Sequence, residues 1–128
     1  MMEFEKALAY ELQAITGLEG KVSPQNAEEN TKPPFVVYVS SEGEPIMALE
    51  GATDMTELNC DIHVVGTTYE EMKNYTRMVL DRIKTFFQRP IGGNPDLVIK
   101  SVSYTEPIED VDNNTNYHRS SFNVKVRF

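Results

Sequence analysis

The chain has 128 residues, 40% of them apolar, and a formal net charge of −8. This length and apolar content are typical of one domain, so we expect a single domain over residues 1–128. The acidic excess argues against gripping nucleic acid through a basic surface, and no stretch approaches the ~18 apolar residues of a membrane span. A single cysteine, Cys60, excludes an internal disulfide and indicates a small buried thiol.

The first forty residues predict a helix, a loop and a strand. Apolar residues recur every three to four positions over residues 3–16, which is typical of an amphipathic helix that ends at Gly17. Its apolar face comprises Phe4, Leu8, Leu12 and Ile15, and its polar face Glu3, Glu5, Glu11 and Gln13. Residues 20–34 are polar and proline-punctuated, so we expect mainly a loop, with a short strand as an option at Val22. The segment PFVVYV, residues 34–39, predicts a strand.

The middle of the chain changes from strand to helix periodicity at Gly66. Over residues 55–65 the apolar set Leu58, Cys60, Ile62 and Val64 alternates with the polar set Glu57, Asn59, Asp61 and His63. This period of two predicts a half-buried strand. Thr67 or Thr68 can then cap a helix that runs to about Phe87. Its inward stripe is predicted to comprise Tyr69, Met72, Thr76, Val79, Ile83 and Phe86.

The last third predicts two strands joined by a polar turn region. Residues 96–106 favour a strand, residues 107–116 a long hairpin loop, and residues 117–128 a final strand. The complete order predicts an α+β fold, a mostly antiparallel sheet of four to five strands with two helices on one face, in the order α-(β)-β-β-α-β-β.

No residue pattern of a known catalytic, nucleotide-binding or metal motif occurs in the chain, so we expect no enzyme activity and no cofactor or metal. Asp61 and His63 share a strand face and His118 lies elsewhere, but a metal site would need a further ligand. The acidic residues Glu106, Glu109, Asp110 and Asp112 cluster beside a turn, without the spacing of an EF-hand. They indicate a solvated loop.

Two sets of residues are candidates for contacts between subunits. Ile46, Met47 and Leu49 stand in an otherwise polar, breaker-rich segment, residues 40–53; they either extend a hairpin or lie exposed on a projecting assembly arm. Glu57 and Asp61 lie on the polar face of one strand, and Lys125 and Arg127 on that of another. These charges either pair across strands or specify a contact with a neighbouring subunit. The sequence leaves both alternatives open.

The order of elements resembles the tail-completion, or tail-terminator, proteins of long-tailed bacteriophages and prophages. The resemblance is carried by PPFVVYV, by ELNCDIHVVG leading into TTYEEMKNYTRMVLDRI, and by the closing FNVKVRF. It implies a non-catalytic subunit, made in the host cytoplasm, that forms a ring, commonly a hexamer, at the top of the virion tail. Such a ring ends tail-tube elongation, meets the head connector at the head–tail junction, and lets DNA pass through its lumen without specific binding.

Two other functions fit the sequence. A head-completion or neck adaptor would bind portal complexes rather than tail tubes. A small ligand-binding α+β domain, or an enzyme with dispersed residues, would need a deep pocket with polar groups converging around His63 or His118.

Overall fold

The elements follow the predicted order, with two additional strands, in a computed structural model, which describes residues 2–24, 32–41, 43–48 and 51–128. Of residues 2, 44–48 and 51–54 it describes only the backbone. The elements of the described residues are α1 Met2–Gln13, β1 Val22–Pro24, β2 Phe35–Ser40, β3 Glu44–Ala48, β4 Gly51–Gly66, α2 Tyr69–Lys84, β5 Ser101–Tyr104, β6 Ile108–Val111 and β7 His118–Arg127. Neither helix is long and apolar enough to cross a membrane.

The sheet confirms the predicted α+β class. In the described residues its strand order is β1-β2-β4-β7-β5, with β3 also paired to β4 and β6 also paired to β7. β3 continues the path of β2 along β4, and β6 continues that of β5 along β7, so seven strand segments occupy five positions. The four to five predicted strands correspond to β1, β2, β4, β5 and β7, and β3 and β6 are additional. The pair β1–β2 is parallel and the other pairs are antiparallel.

Backbone interruptions separate the paired segments. Between β5 and β6, the amide of Thr105 donates to the carbonyl of Asn123, and the Thr105 hydroxyl accepts from the Asn123 amide. Pro107 follows and has no amide to donate, which interrupts the ladder. Between β2 and β3, Ser41 makes the same kind of exchange with Asn59 before Gly43 takes a positive φ of 88°.

The period-two pattern of β4 and β7 is confirmed, because one face of each strand is buried. The buried residues of this face are Leu58, Cys60, Ile62, Val64, Phe122, Val124 and Val126. They pack in one core with the apolar sides of α1 and α2. The opposite face carries the charged and hydroxyl side chains and is called the outer face below.

Helix α1 is shorter than predicted. It ends at Gln13 rather than residue 16, and the chain continues in turns in which the amide of Leu18 donates to the carbonyl of Ile15. Leu18 is fully buried. Its burial in the core takes the place of the last helical turn that the sequence predicts. The prediction for Glu11 is wrong: this residue is buried rather than on a solvated face.

Helix α2 begins as predicted, at the junction with β4. The Thr68 side chain caps it by accepting from the Glu71 amide at 3.1 Å, and the Glu71 carboxylate accepts from the Thr67 amide at 2.9 Å. A Cβ on Gly66 would lie 2.6 Å from the amide nitrogen of Met72, so only glycine allows the helix to turn back this closely.

The inward stripe of α2 is confirmed except at its first residue. Met72, Thr76, Val79 and Ile83 are buried, whereas Tyr69 is 53% exposed and rests against His118. Tyr69 lies in the first turn of the helix, beyond the edge of the hydrophobic core. The helix ends at Lys84, earlier than predicted, and the buried Phe86 follows it in a turn.

Two boundaries in the last third differ from the prediction. The expected strand 96–106 contributes only β5, because Leu97 and Ile99 are buried in an irregular segment that turns through Asn94. The expected loop 107–116 contains β6, paired with β7 despite its polar residues. Pairing to an edge requires backbone groups rather than apolar side chains, so periodicity alone does not reveal such a strand.

Candidate assembly surfaces

Three of the predicted interface residues meet on the outer face. Glu57 lies opposite Arg127 in the β4–β7 ladder, and its carboxylate is 2.9 Å from the Arg127 Nη2 and 3.7 Å from the Lys125 Nζ. The cross-strand alternative is therefore present within one chain. All three side chains remain partly exposed, so each pair contributes about 0.2–1 kcal/mol to stability.

Asp61, the fourth predicted interface residue, is held by an amide. Its Oδ1 accepts from the Asn123 Nδ2 at 3.0 Å, directly across the β4–β7 ladder. The sequence interpretation pairs the acidic and basic groups as one set, but Asp61 lies four residues along β4 from Glu57. A separation of ~13 Å along the strand places Asp61 away from the contact that Glu57 makes with Lys125 and Arg127.

The segment with the predicted assembly arm forms part of a hairpin. Ile46 and Met47 lie in β3, paired with the start of β4, while Leu49 lies outside the described residues. β7 reaches β4 only as far as Glu57, and Phe128 exchanges backbone hydrogen bonds with Thr56. The backbone of residues 46–48 and 51–55, here called the arm, therefore extends past the end of β7.

The histidines do not converge on a pocket. The Nδ1 of His63 is 2.7 Å from the Ser121 hydroxyl on the outer face. His118 has the opposite phase in the sheet and meets the Tyr69 ring edge-on, with centroids 6.1 Å apart. Among the described residues, no group of three or more His, Cys, Asp or Glu side chains could hold a metal ion.

The predicted acidic loop is divided by β6. Glu109 faces α2, where its carboxylate lies 2.7 Å from the Lys73 Nζ, whereas Asp110 faces outward and accepts from Arg119 through both oxygens. The Arg119 hydrogen bonds lower the pKa of Asp110 below its usual value. Strand alternation separates these neighbouring carboxylates onto opposite faces, so they do not form a cation site.

A buried carboxylate, missed from the sequence, connects α1 to the second half of the chain. Glu11 is 3% exposed and accepts from Arg82 at 2.9 Å and Arg89 at 2.6 Å. Its second oxygen accepts from the Gly92 amide at 2.9 Å. Burial raises the pKa of Glu11, but the Arg89, Gly92 and Arg82 interactions outweigh it, and the net pKa is lowered.

Glycine at position 92 makes this contact possible. Its φ is +66°, and a Cβ there would lie 2.4 Å from the Cα of Ala7, one helical turn before Glu11. The Gly92 amide can thus approach α1 closely. A signal for Glu11 exists in the sequence, since it follows Leu8 by three residues and precedes Ile15 by four, within the apolar arc.

Cys60 is buried on the inner face of β4, as predicted. Burial, followed by the charges of Asp61 and Glu5, raises the pKa of its thiol to about 12. A thiol in this state is protonated at neutral pH and is a poor nucleophile.

A groove with three cations lies along α2, and no pattern in the sequence predicts it. Its volume is about 240 Å³, and it opens between α2 and the β5–β6 connection at Pro107. The cations Lys73, Arg77 and Lys84 and the carboxylate of Asp81 line it, above Thr76 and Leu80. Helical spacing of three to four residues aligns these cations, but a groove forms only because the β5–β6 connection at Pro107 lies beside the helix.

Comparisons with known proteins show the fold. The chain matches no protein-family model and no curated protein. A chain in the structure of the virion of a native gene transfer agent particle is similar, with 12% identity and a TM-score of 0.69, covering 94% of this chain and 90% of that one. A second solved chain, which carries no functional name, is 17% identical with a TM-score of 0.50, covering 98% and 91%.

Proposed function

We propose that this protein is a non-catalytic virion subunit of a phage or phage-like particle, and specifically a tail terminator. Copies assemble into a ring, commonly six in the family that the sequence resembles. The ring caps the tail tube, ends its elongation and forms part of the head–tail junction, with DNA passing through the lumen. The subunit has no cofactor and works in the host cytoplasm during assembly and then in the virion.

The observation that carries this proposal is the likeness over nearly the whole chain to a protein of a gene transfer agent virion. At 12% identity that likeness concerns the fold, and the function is inferred from the virion context together with the sequence resemblance. The hairpin arm supports the same function, since a strand pair that extends past the sheet is suited to reach a neighbouring subunit.

The first test is the oligomeric state over a range of concentrations, from micromolar to several hundred micromolar. Light scattering after size exclusion gives the mass, and negative-stain imaging shows the shape. The same measurements are repeated with tail-tube protein of the same particle, because a template can be needed. A closed ring, alone or on tube ends, is expected. Binding to portal complexes without any affinity for tubes would identify a neck adaptor instead.

The second test removes the arm. Residues 46–55 are replaced by Asn-Gly, which joins Pro45 to Thr56, two residues that pair in the β3–β4 ladder. A two-residue Asn-Gly loop closes a hairpin between such partners. The shortened protein is expected to remain a folded monomer and to lose ring formation and tube capping. Unchanged rings would exclude the arm as an assembly element.

A further inference from the structure

The groove along α2 holds unneutralised positive charge in a chain whose net charge is −8. Lys73 is paired with Glu109, and Lys84 is 3.9 Å from the Asp81 Oδ1 while lying over the Tyr104 ring. Arg77 is exposed and has no ionic partner in the part of the chain that the structure describes. An acidic segment would therefore find a cation there that no described carboxylate already binds.

Apolar side chains and a free strand edge accompany this charge. Val111 and Tyr104 are exposed on the α2 side of this edge, whereas Ile108, 75% exposed, alternates with Glu109 and faces outward. β6 pairs with β7, and on its other side no strand pairs with it among the described residues. An uncovered edge with exposed apolar side chains is a template for pairing with another strand.

The arm has the complementary composition. Residues 46–55 contain Glu50 and Asp54 but no lysine or arginine, and they include several apolar residues. Their described backbone is already extended as strands. An acidic, apolar strand pair is the kind of segment that a cationic groove beside a free strand edge would bind.

The arm and the groove lie at different levels along the same sheet. The arm begins beyond the pair of Glu57 and Arg127, whereas Pro107, at the groove, follows Thr105, whose amide donates to the carbonyl of Asn123. About four strand residues, or ~13 Å, separate these levels on β7, and the arm extends away from the groove. The arm therefore meets this groove most directly on a second copy, and such a head-to-tail contact between two different surfaces can close into a ring.

We infer that the arm of one subunit docks in the α2 groove of a second copy, beside β6 and with its carboxylates facing Arg77. The inference rests on the proposed ring assembly and identifies the contact that makes it. It differs from the sequence-based alternative in which Lys125 and Arg127 supply the cations for a neighbouring subunit, since Glu57 already engages both within the chain.

Disulfide trapping tests this contact directly. In a Cys60→Ala background, Asp54→Cys places a thiol on the arm and Arg77→Cys one in the groove. Mixing the two single-thiol proteins under mild oxidation, with tail-tube protein present, is expected to give a covalent heterodimer. The protein that carries both thiols is expected to give a ladder of covalent oligomers under the same conditions. Asp54→Cys mixed with Thr16→Cys, an exposed position after α1, is the control and should remain largely unlinked.

A parallel sample treated with an amine-reactive cross-linker reports assembly independently of this contact. Cross-linked oligomers without the disulfide ladder would overturn the docking inference and leave the ring proposal intact. Absence of oligomers by both methods would overturn the two together. An internal disulfide in a monomer would show that the arm occupies its own groove and would also overturn the inference.

Charge reversal provides a second, non-covalent test. Arg77→Glu and Asp54→Lys are each expected to weaken assembly about tenfold, and the combination to restore most of it, because the opposite charges are exchanged. Lys100→Glu, at an exposed position outside the groove lining, is the matched control and should leave assembly unchanged. Additive losses in the combined variant would contradict direct contact between the two positions.

Discussion

Glu11 shows how one residue can join distant parts of the chain. Its carboxylate meets Arg82 and Arg89, more than seventy positions away, and the Gly92 amide. A buried charge is tolerated only when it is paired and hydrogen-bonded, and these three partners satisfy both requirements. The cluster fixes α1 against the end of α2 and the turn that follows it.

Replacing Glu11 with glutamine should lower the free energy of unfolding by about 1–3 kcal/mol, because two guanidinium groups lose their counter-charge. The loss stays below that for a fully buried pair, since Arg82 and Arg89 are 37% and 34% exposed and keep some water. Urea denaturation at pH 7 measures it. Glu3→Gln, exposed on the same helix, is the control and should change stability by less than ~0.5 kcal/mol.

The same cluster predicts a pH dependence. The folded-state pKa of Glu11 lies below the usual glutamate value of 4.5, so the unfolded chain binds its proton more readily. The stabilisation that the charged Glu11 carboxylate provides is complete at a pH above the usual pKa. It is lost as the pH falls through the lower pKa of the folded state. The advantage of the native protein over Glu11→Gln should therefore shrink on titration from pH 6 to pH 3. A constant difference over that range would contradict the ionised assignment.

Cys60 should be inert in the folded protein, because burial leaves it protonated and inaccessible. Iodoacetamide at pH 8 is expected to alkylate it only after denaturation, as measured by intact mass. Ser103→Cys, exposed on the outer face of β5, supplies a control thiol that should react in the folded state. Rapid native labelling at Cys60 would show that β4 opens readily or that the inner face is accessible.

At the scale of elements, the junction of β4 and α2 has the clearest local cause. Gly66 removes the side chain where the helix turns back, Thr68 caps the first turn, and Glu71 accepts from the Thr67 amide. These are interactions between residues at most six positions apart, so the sequence predicts them well. The β2–β3 and β5–β6 interruptions depend instead on bonds to Asn59 and Asn123 on the neighbouring strands.

Thr68→Ala should cost about 0.5–2 kcal/mol of stability, since the Glu71 amide loses its acceptor. Chemical denaturation monitored by circular dichroism measures the change. Thr67→Ala is the matched control, because Glu71 binds the backbone amide of Thr67 and that bond is retained. Equal losses in the two variants would show that the cap contributes no more than general threonine packing.

At the scale of the whole molecule, the buried core and the proposed assembly surfaces occupy different places. The core cluster of the described residues is formed by α1, α2, the inner face of the sheet and the buried segments after each helix. The arm lies beyond the end of β7, and the α2 groove lies on the exposed side of the helix. Assembly variants should therefore be separable from folding variants.

The arm-shortened protein should keep a cooperative thermal transition, within a few degrees of the native protein, when both are measured as monomers. The deletion removes only backbone beyond the Pro45–Thr56 pair, past the last residue of β4 that pairs with β7. The shorter loop also reduces the entropy lost on closing the hairpin. Loss of cooperative unfolding would place arm residues in the core and would remove the basis for treating the arm as an assembly element.

The sequence by itself determined the α+β class, the buried faces of β4 and β7, the inward stripe of α2 and its cap. These follow from periods of two and 3.6 and from caps, which depend on residues close in the chain. Only the tertiary structure decided that Glu11 is buried, that Glu57 engages Lys125 and Arg127 within one chain, and that cations line a groove beside β6. Each of these needs elements distant in sequence to be brought together, which local patterns do not encode.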